Sequence, residues 1–205
     1  MTNLAPNTLT RPLVDTLVPV RAAALRIPLQ LALGVALMAL LAQLELTIGP
    51  VPITGQTLGV LLIGAAYGSG LGGLTLLAYL LVGGSGFGVF SGGGAGWTHF
   101  AGTTAGYLVS YPFVAALVGY LSQRGLTRTF TRTALVMVLG NVLIYLPGLA
   151  WLSTFAPAYA PAGVSPLTWT LQAGLIPFIP GDVLKLLVAA ALLPLAWRVL
   201  GKGVR

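Results

Sequence analysis

Asp182 and Lys185 stand three residues apart at the start of the last apolar stretch, PFIPGDVLKLLVAAALLPLAW (177–197), in a chain with only three acidic residues. Side chains at this spacing share one face of a helix. Pro180 and Gly181 suit a helix start, where a carboxylate can accept backbone N–H bonds and a cation can attract an anion. The pair predicts a site for a polar ligand. The alternatives are helix capping by Asp182 and a Lys185 stem that extends to the membrane surface.

Three other polar residues are candidates for the same site. Gln56 and Thr57 end a segment, IGPVPITGQT (48–57), whose prolines and glycine favour a fixed non-helical path, and the Gln56 amide both donates and accepts. Asn141 and Tyr145 lie one helical turn apart in another apolar stretch, where an unpaired amide costs free energy. Ligand binding and ordinary bonding between helices both fit Asn141 and Tyr145, and Gln56 could instead cap a helix.

Trp97 and His99 lie in a glycine-rich segment, GGSGFGVFSGGGAGWTHFAGTTAGYL (83–108). Backbone of this kind near membrane depth is tolerated where it is buried in protein or lines a cavity, so we expect the segment to cover or line something. The alternative is a flexible outer loop. Trp97 fits a ligand wall or an anchor at the membrane surface. His99 has no carboxylate neighbour in the sequence and the chain has no cysteine, so no metal site is predicted.

The elements that position these residues are predicted to be membrane helices. Hydrophobic residues make up 57% of the chain, charged residues only 6%, and soluble domains carry about a quarter charged residues. Mean hydropathy is +0.95. These values predict an all-α integral membrane protein, with a cytoplasmic segment (1–28) before one six-helix domain (29–205). The expected spans are residues 29–46, 57–69, 71–88, 103–122, 133–155 and 181–200, with a glycine-rich outer loop between the third and fourth.

The distribution of basic residues supports six spans. Six spans place both termini and the 122–132 loop on one side, together with nine of the ten basic residues. The positive-inside rule assigns that side to the cytoplasm. Five spans would put Arg124, Arg128 and Arg132 on the opposite side. Lys185 is the remaining cation and falls at the outer end of the sixth span. Because the basic residues flank apolar stretches, nucleic acid is not an expected partner.

Several functions are excluded by missing motifs. The phosphate-binding pattern G-x-x-x-x-G-K-[ST] is absent, so ATP-driven work would need a partner. No paired acids for Mg²⁺, no H-E-x-x-H and no G-x-S-x-G occur, so we predict neither an enzyme nor catalytic residues. A membrane enzyme acting on a lipid or isoprenoid and a structural subunit remain the alternatives from other classes. Ala32 and Ala36 form a small-residue pair that lets another helix approach, inside the bundle or from a partner.

Four segments together resemble the BioY family, the biotin-specific substrate-binding (S) components of energy-coupling factor (ECF) vitamin transporters. They are VPITGQTLGVLL (51–62), the glycines leading to GTTAGYLVSYP (102–112), GNVLIYLPGLAWL (140–152) and PFIPGDVLKLLVAAAL (177–192). The resemblance covers most of the chain after residue 28. One motif departs from the family, since GTTAGY (102–107) stands where G-P-T-G-G-Y is expected, and this affects the fine shape of that loop.

The resemblance implies a six-helix bundle that binds the vitamin near its outer side. The ligand would be enclosed by the loop after helix 1, the loop between helices 3 and 4, and helices 4 to 6. Lys185 and the helix start could hold the carboxylate of biotin, and some combination of Asp182, Asn141 and Gln56 its ureido ring, although the reverse pairing also fits. The expected substrate-binding residues are Asp182, Lys185, Asn141, Gln56, Tyr107, Tyr145, Thr104 and Trp97.

The resemblance also implies partners. The chain would capture biotin outside and release it inside after docking on a transmembrane coupling (T) subunit driven by two ATPase subunits. Ala32 and Ala36 are the candidate docking face. We expect a multi-pass protein of a prokaryotic plasma membrane, surrounded by lipid, with biotin as its transported ligand and no cofactor. The nearest alternative is an S component for another vitamin.

Overall fold

The computed structural model describes residues 12–17 and 23–200, which form a bundle of long helices with one two-stranded hairpin. The helices are α1 (Val14–Leu17), α2 (Ala23–Gln43), α3 (Gln56–Gly84), α4 (Ala105–Gln123), α5 (Phe130–Ser153), α6 (Ala156–Tyr159), α7 (Pro166–Gly174) and α8 (Ile179–Leu200). The strands are β1 (Glu45–Leu46) and β2 (Ile53–Thr54), and short 3₁₀ turns cover Ser91–Gly93, Trp97–Ala101 and Ile176–Phe178. Part of the predicted 1–28 segment lies outside the described residues, as do Arg11, Arg21, Lys202 and Arg205.

The described residues contain five helical stretches that are long and apolar enough to cross a membrane. These are Ala24–Gln43, Gln56–Gly84, Ala105–Gln123, Phe130–Ser153 and Pro166–Val199. Large apolar side chains are exposed on the outside of the bundle, for example Leu40 at 68% and Phe113 at 72%. Such a surface is costly in water but suits lipid. The prediction of an all-helical membrane protein therefore agrees with the structure.

The main difference from the predicted spans concerns α3, which runs through both the second and the third of them. Its backbone is non-helical at Gly68, with φ 78° and ψ −179°. The Gln56 side-chain amide donates to the Tyr79 hydroxyl at 2.8 Å, although a straight helix would separate residues 23 apart by roughly 35 Å. The two arms of α3 therefore run side by side and reverse at Gly68. Glycine is required there because other residues rarely adopt this φ.

Small residues allow the two arms to pack closely. A Cβ added at Gly72 would lie 3.2 Å from Cα of Gly64 on the other arm. The same added atom would lie 3.5 Å from the Ala115 carbonyl oxygen of α4. Close backbone approach is typical of membrane helices, where packing between small residues replaces the hydrophobic effect as the source of association.

The bundle has two chemically different ends. At one end the Gly68 turn meets α4, since the Ser69 amide donates to Gln123 Oε1 at 3.1 Å, just before Arg124. We call this the arginine end. The opposite end, the cavity end, carries β1 and β2, the glycine-rich loop (85–104) and residues 154–178. The sequence predicted a loop for 156–180, but the structure has α6 and α7 there; Ser165 caps α7 by accepting from the Thr168 amide at 3.1 Å.

The glycine-rich loop is tied to the bundle. The Gln43 amide at the end of α2 donates to the Phe90 carbonyl at 2.9 Å, and its Oε1 accepts from the Gly93 amide at 3.0 Å. Phe90 is 1% exposed and packs edge-on against Tyr79, with ring centroids 5.5 Å apart. The loop therefore folds back over the end of the bundle.

Candidate functional site

The cavity end encloses a pocket of about 390 Å³ between the helices and the glycine-rich loop. This volume lies in the range of small-molecule sites, roughly 300–1,000 Å³. Its walls combine apolar and aromatic side chains with a few polar groups. They are Val51, Pro52, Thr54, Gln56, Thr57, Phe90, Ser91, Thr98, His99, Gly102, Thr103, Thr104, Tyr107, Leu108, Tyr111, Tyr145, Phe178 and Lys185.

Asp182 and Lys185 meet as their spacing predicted. The Lys185 ammonium lies 3.0 Å from Oδ1 of Asp182, and their side chains are 17% and 9% exposed. Asp182 stands in the first turn of α8, where the helix dipole favours a carboxylate. Its other oxygen, Oδ2, accepts a short hydrogen bond from the Tyr145 hydroxyl of α5.

The Lys185 ammonium points into the protein. It donates to the Thr54 carbonyl oxygen at 2.7 Å and to the Thr57 hydroxyl at 3.0 Å, in addition to Asp182. An ammonium has three protons, so each faces an acceptor. The alternative of a lysine that extends to the membrane surface does not match this geometry. Lys185 instead joins α8 to β2 and to the start of α3.

Thr57 completes this cluster. Its hydroxyl donates to Asp182 Oδ1 at 3.3 Å while it accepts from Lys185. The paired charges sum to zero, because one carboxylate faces one ammonium. Hydrogen bonds that include a charged group are stronger than neutral ones, and both charged side chains here are mostly buried. The cluster therefore presents fixed polar groups to the cavity without a net charge.

Gln56 lines the cavity beside this cluster and is 5% exposed. Its Nε2 donates to Tyr79, and its Oε1 accepts from the Thr54 hydroxyl at 3.0 Å. Tyr79 in turn donates to the Val89 carbonyl at 3.0 Å. This chain of bonds connects the cavity wall to the glycine-rich loop.

Tyr107 and Tyr145 form an aromatic wall. Their rings meet edge to face with centroids 5.9 Å apart, and Tyr145 also contacts Phe178 with centroids 6.2 Å apart. The Tyr107 hydroxyl donates to the Gly174 carbonyl of α7 at 3.0 Å. The α5 backbone packs directly on the Tyr107 ring at Gly148, where a side chain would overlap it. This wall suits an apolar ring system.

The glycine-rich loop closes the remaining side through Phe90, Ser91, Thr98 and His99, followed by the 102–104 segment. Thr103 donates to the Pro50 carbonyl at 2.6 Å, and the Trp151 indole N–H donates to the Gly102 carbonyl at 2.9 Å. Thr104 lines the cavity at the N-terminal boundary of α4, as the resemblance implied for a site residue.

Two predicted site residues are not brought to the cavity. Trp97 is 59% exposed and lies against Phe100, with ring centroids 5.5 Å apart. Asn141 lies one turn before Tyr145 on α5, and its Oδ1 is buried without a hydrogen-bond partner among the described residues. Asp182 contacts the cavity-lining Thr57, Tyr145 and Lys185 from behind rather than lining the cavity itself.

Thr54, Tyr111, Phe178 and His99 line the cavity without having been predicted as binding residues. Tyr111 follows Tyr107 by one helical turn, so the i, i+4 spacing could have identified it. Thr54 accepts from Lys185 through its backbone carbonyl, for which a sequence carries no signal. In the described part of the chain, no group of three or more His, Asp or Glu residues could hold a metal ion.

Ala32 and Ala36 lie on the exposed face of α2. Leu33 and Leu37 beside them are 46% and 40% exposed. The pair is therefore available to lipid or to another helix and does not pack inside this bundle.

Comparisons with known proteins show which family the chain resembles over most of its length. The model of the BioY family matches residues 15–202. The biotin transporter BioY of Rhizobium etli is 39% identical over 161 residues, covering 75% of this chain and 81% of that protein. The probable biotin transporter BioY of Pyrococcus horikoshii is 35% identical over 154 residues, covering 75% and 85%.

The fold is similar to a solved structure. The crystal structure of the S-component for biotin from an ECF-type ABC transporter superposes with a TM-score of 0.74. The match covers 91% of this chain and 99% of that chain at 24% identity, so it concerns the fold alone. Because the family model spans most of the sequence and these relatives match over most of their length, the chain belongs to the BioY family.

Proposed function

We propose that this chain is the substrate-binding subunit of a biotin uptake transporter, which binds biotin at its outer side and delivers it inward together with an ECF energising module. The observation that carries the proposal is the enclosed cavity built on the Asp182–Lys185–Thr57 cluster. Proteins named as biotin transporters are similar to this chain in sequence. The sequence contains none of the ATP-binding or catalytic motifs considered above.

The chemistry of the cavity suits the chemistry of biotin. Biotin has an apolar bicycle, a polar ureido ring and a carboxylate on a flexible chain. Tyr107, Tyr145 and Phe178 provide aromatic surface for the bicycle. Gln56, Thr57 and Lys185 provide polar groups for one of the two polar ends. Substrate binding by Asp182, Lys185, Gln56, Tyr107, Tyr145 and Thr104 is part of this proposal, with Asn141 and Trp97 as candidates outside the cavity wall.

A topology of six crossings, with the arginine end in the cytoplasm, is part of the proposal. Each arm of α3 runs between the cavity end and the arginine end. Gln56 and Tyr79 meet at the cavity end, and the chain reverses at Gly68 at the arginine end. Arg124, Arg128 and Arg132 cluster at one end, which favours the cytoplasmic side. The cavity would then open outward in a prokaryotic plasma membrane.

Transport would require partner subunits, since the sequence has no phosphate-binding loop. The partners that fit are a transmembrane coupling subunit and two ATPase subunits. We place the coupling contact at the Ala32–Ala36 face of α2, because small exposed residues there would allow a helix to approach closely. Biotin acts as ligand, and no cofactor is proposed.

A titration of the purified protein tests the function. We expect one biotin to bind per chain at micromolar concentration or below, because the volume and lining of the cavity are those of a small-molecule site. Riboflavin, thiamine and lipoate serve as competitors under the same conditions. Failure to bind at micromolar biotin, with binding of another vitamin instead, would replace biotin by that vitamin and keep the transporter assignment.

A further inference from the structure

Most polar side chains that line the cavity already have protein partners. Thr57 and Tyr145 donate to Asp182, Tyr107 donates to Gly174, and the three protons of Lys185 face three acceptors. Within the described residues, four polar lining side chains form no hydrogen bond to protein. Three belong to the glycine-rich loop, and the fourth lies on a membrane helix: Thr98, His99, Thr104 and Tyr111.

Tyr111 is unusual among these four because it is almost fully enclosed. It is 4% exposed and lies six residues into α4, roughly 9 Å along the helix axis. Its hydroxyl forms no hydrogen bond to the side chains or backbone of the described residues. A buried hydroxyl without a partner costs free energy, so such groups are rare in folded proteins.

The Tyr111 hydroxyl opens on the cavity. The polar side-chain atoms sealed inside the described residues without a partner are His99 Nδ1 and Asn141 Oδ1, and the Tyr111 oxygen is not among them. An unpaired hydroxyl that is not sealed by protein, on a side chain that lines a cavity, must face the space inside that cavity. Tyr111 thus presents a free hydrogen-bonding group deep in the pocket.

We infer that the Tyr111 hydroxyl donates a hydrogen bond to the ureido carbonyl oxygen of biotin. This inference rests on the proposed function. A ureido oxygen buried in the pocket needs a donor, and the protons of Lys185, Thr57, Tyr107 and Tyr145 are already directed at protein acceptors. Tyr111, on the helical wall, has a hydroxyl proton that is not directed at a protein acceptor. The ureido ring then lies at the inner end of the cavity and the carboxylate points toward the glycine-rich loop.

The test replaces Tyr111 by phenylalanine, which removes the hydroxyl and keeps the ring packing. Biotin affinity should fall roughly tenfold, because the ureido oxygen loses its donor. The ligand-free thermal midpoint should not fall, since the hydroxyl has no protein partner to lose. Tyr67→Phe is the matched control: its buried hydroxyl donates to the Gln30 carbonyl at 3.0 Å, far from the cavity. That variant should lose stability and keep biotin affinity.

Two biotin analogues identify the atom of biotin that accepts the hydrogen bond from Tyr111. Desthiobiotin retains the ureido group, so Tyr111→Phe should weaken its binding by the same factor as that of biotin. In 2-iminobiotin a guanidinium replaces the urea and has no acceptor lone pair at neutral pH. The wild type should bind this analogue weakly, and Tyr111→Phe should cause no additional loss.

The outcomes separate this inference from the function. If the wild type fails to bind biotin, the proposed function fails. If the wild type binds and Tyr111→Phe binds equally well, only the role of Tyr111 is overturned. Equal losses for 2-iminobiotin and biotin would also overturn the contact with the ureido oxygen. If the thermal midpoint of ligand-free Tyr111→Phe falls as far as that of Tyr67→Phe, the Tyr111 hydroxyl bonds to protein and the inference is overturned.

Discussion

The Lys185 ammonium donates to the Thr54 carbonyl at 2.7 Å, although the two residues are 131 positions apart in the chain. This bond joins the last long helix to the loop that follows the first one. Together with Asp182 and Thr57, it fixes the polar corner of the cavity before any ligand arrives. A site that is ordered in advance loses less conformational entropy when a ligand binds.

The ion pair should contribute to stability only as a pair. Lys185→Met leaves Asp182 buried beside an apolar side chain and should destabilise the ligand-free protein by about 3 kcal/mol. Adding Asp182→Asn removes the isolated charge and should recover much of that loss. Thermal unfolding in detergent compares both single variants with the double variant. A double variant destabilised by the full sum of the single effects would show that the two side chains do not interact.

The Thr57 hydroxyl should matter more than its methyl group. Thr57→Val keeps the shape but removes one donor to Asp182 and one acceptor for Lys185, so biotin binding should weaken about tenfold. Thr57→Ser keeps the hydroxyl and should bind within about threefold of the wild type. The affinities come from equilibrium titration. The role of the hydroxyl is rejected if the valine and serine variants bind equally.

The sequence predicted those features of the site that depend on local spacing. Asp182 and Lys185 meet because residues three apart share a helix face, and a charge pair in an apolar chain is conspicuous. Tyr107 and Tyr145 reach the cavity as expected. The all-helical membrane class followed from composition, because few charged residues leave no soluble surface.

Features that depend on backbone geometry or side-chain direction were not predictable. The Thr54 carbonyl binds Lys185, but every residue has a carbonyl and the sequence does not mark this one. Trp97 and Asn141 have suitable chemistry, yet neither residue lines the cavity. The sequence predicted a loop over 156–180 because this stretch lies between two apolar spans, but the structure has helices at 156–159 and 166–174. Pro157 and Pro166 occupy the first turns of these helices, where proline is tolerated.

The bond between Tyr79 and Val89 should hold the glycine-rich loop in place. Tyr79→Phe removes the donor to the Val89 carbonyl and the acceptor for Gln56. Hydrogen exchange of the 87–94 amides should accelerate, because the loop loses one of its attachments to α3. Tyr67→Phe serves as the control at the arginine end. Unchanged exchange in 87–94 would mean that Gln43 and the other contacts hold the loop alone.

The exposed face of α2 should be needed for transport and not for binding. Leucine at both Ala32 and Ala36 adds bulk where a coupling helix would approach, so biotin uptake by cells with the ECF partners should fall at least tenfold. Biotin affinity of the purified subunit should not change. Ala191→Leu on α8 is a matched control, also at an exposed alanine of a membrane helix. Normal uptake by the α2 variant would exclude this face as the docking surface.

The most direct test of biotin binding at the Asp182–Lys185 cluster is the dissociation constant of biotin for three purified proteins: wild type, Lys185→Ala and Asp182→Asn. The three are compared at one temperature after each is shown to be monodisperse. Each substitution should weaken binding at least tenfold, equivalent to about 1.4 kcal/mol. The same affinity in all three proteins would contradict a biotin site at this cluster and return both residues to structural roles.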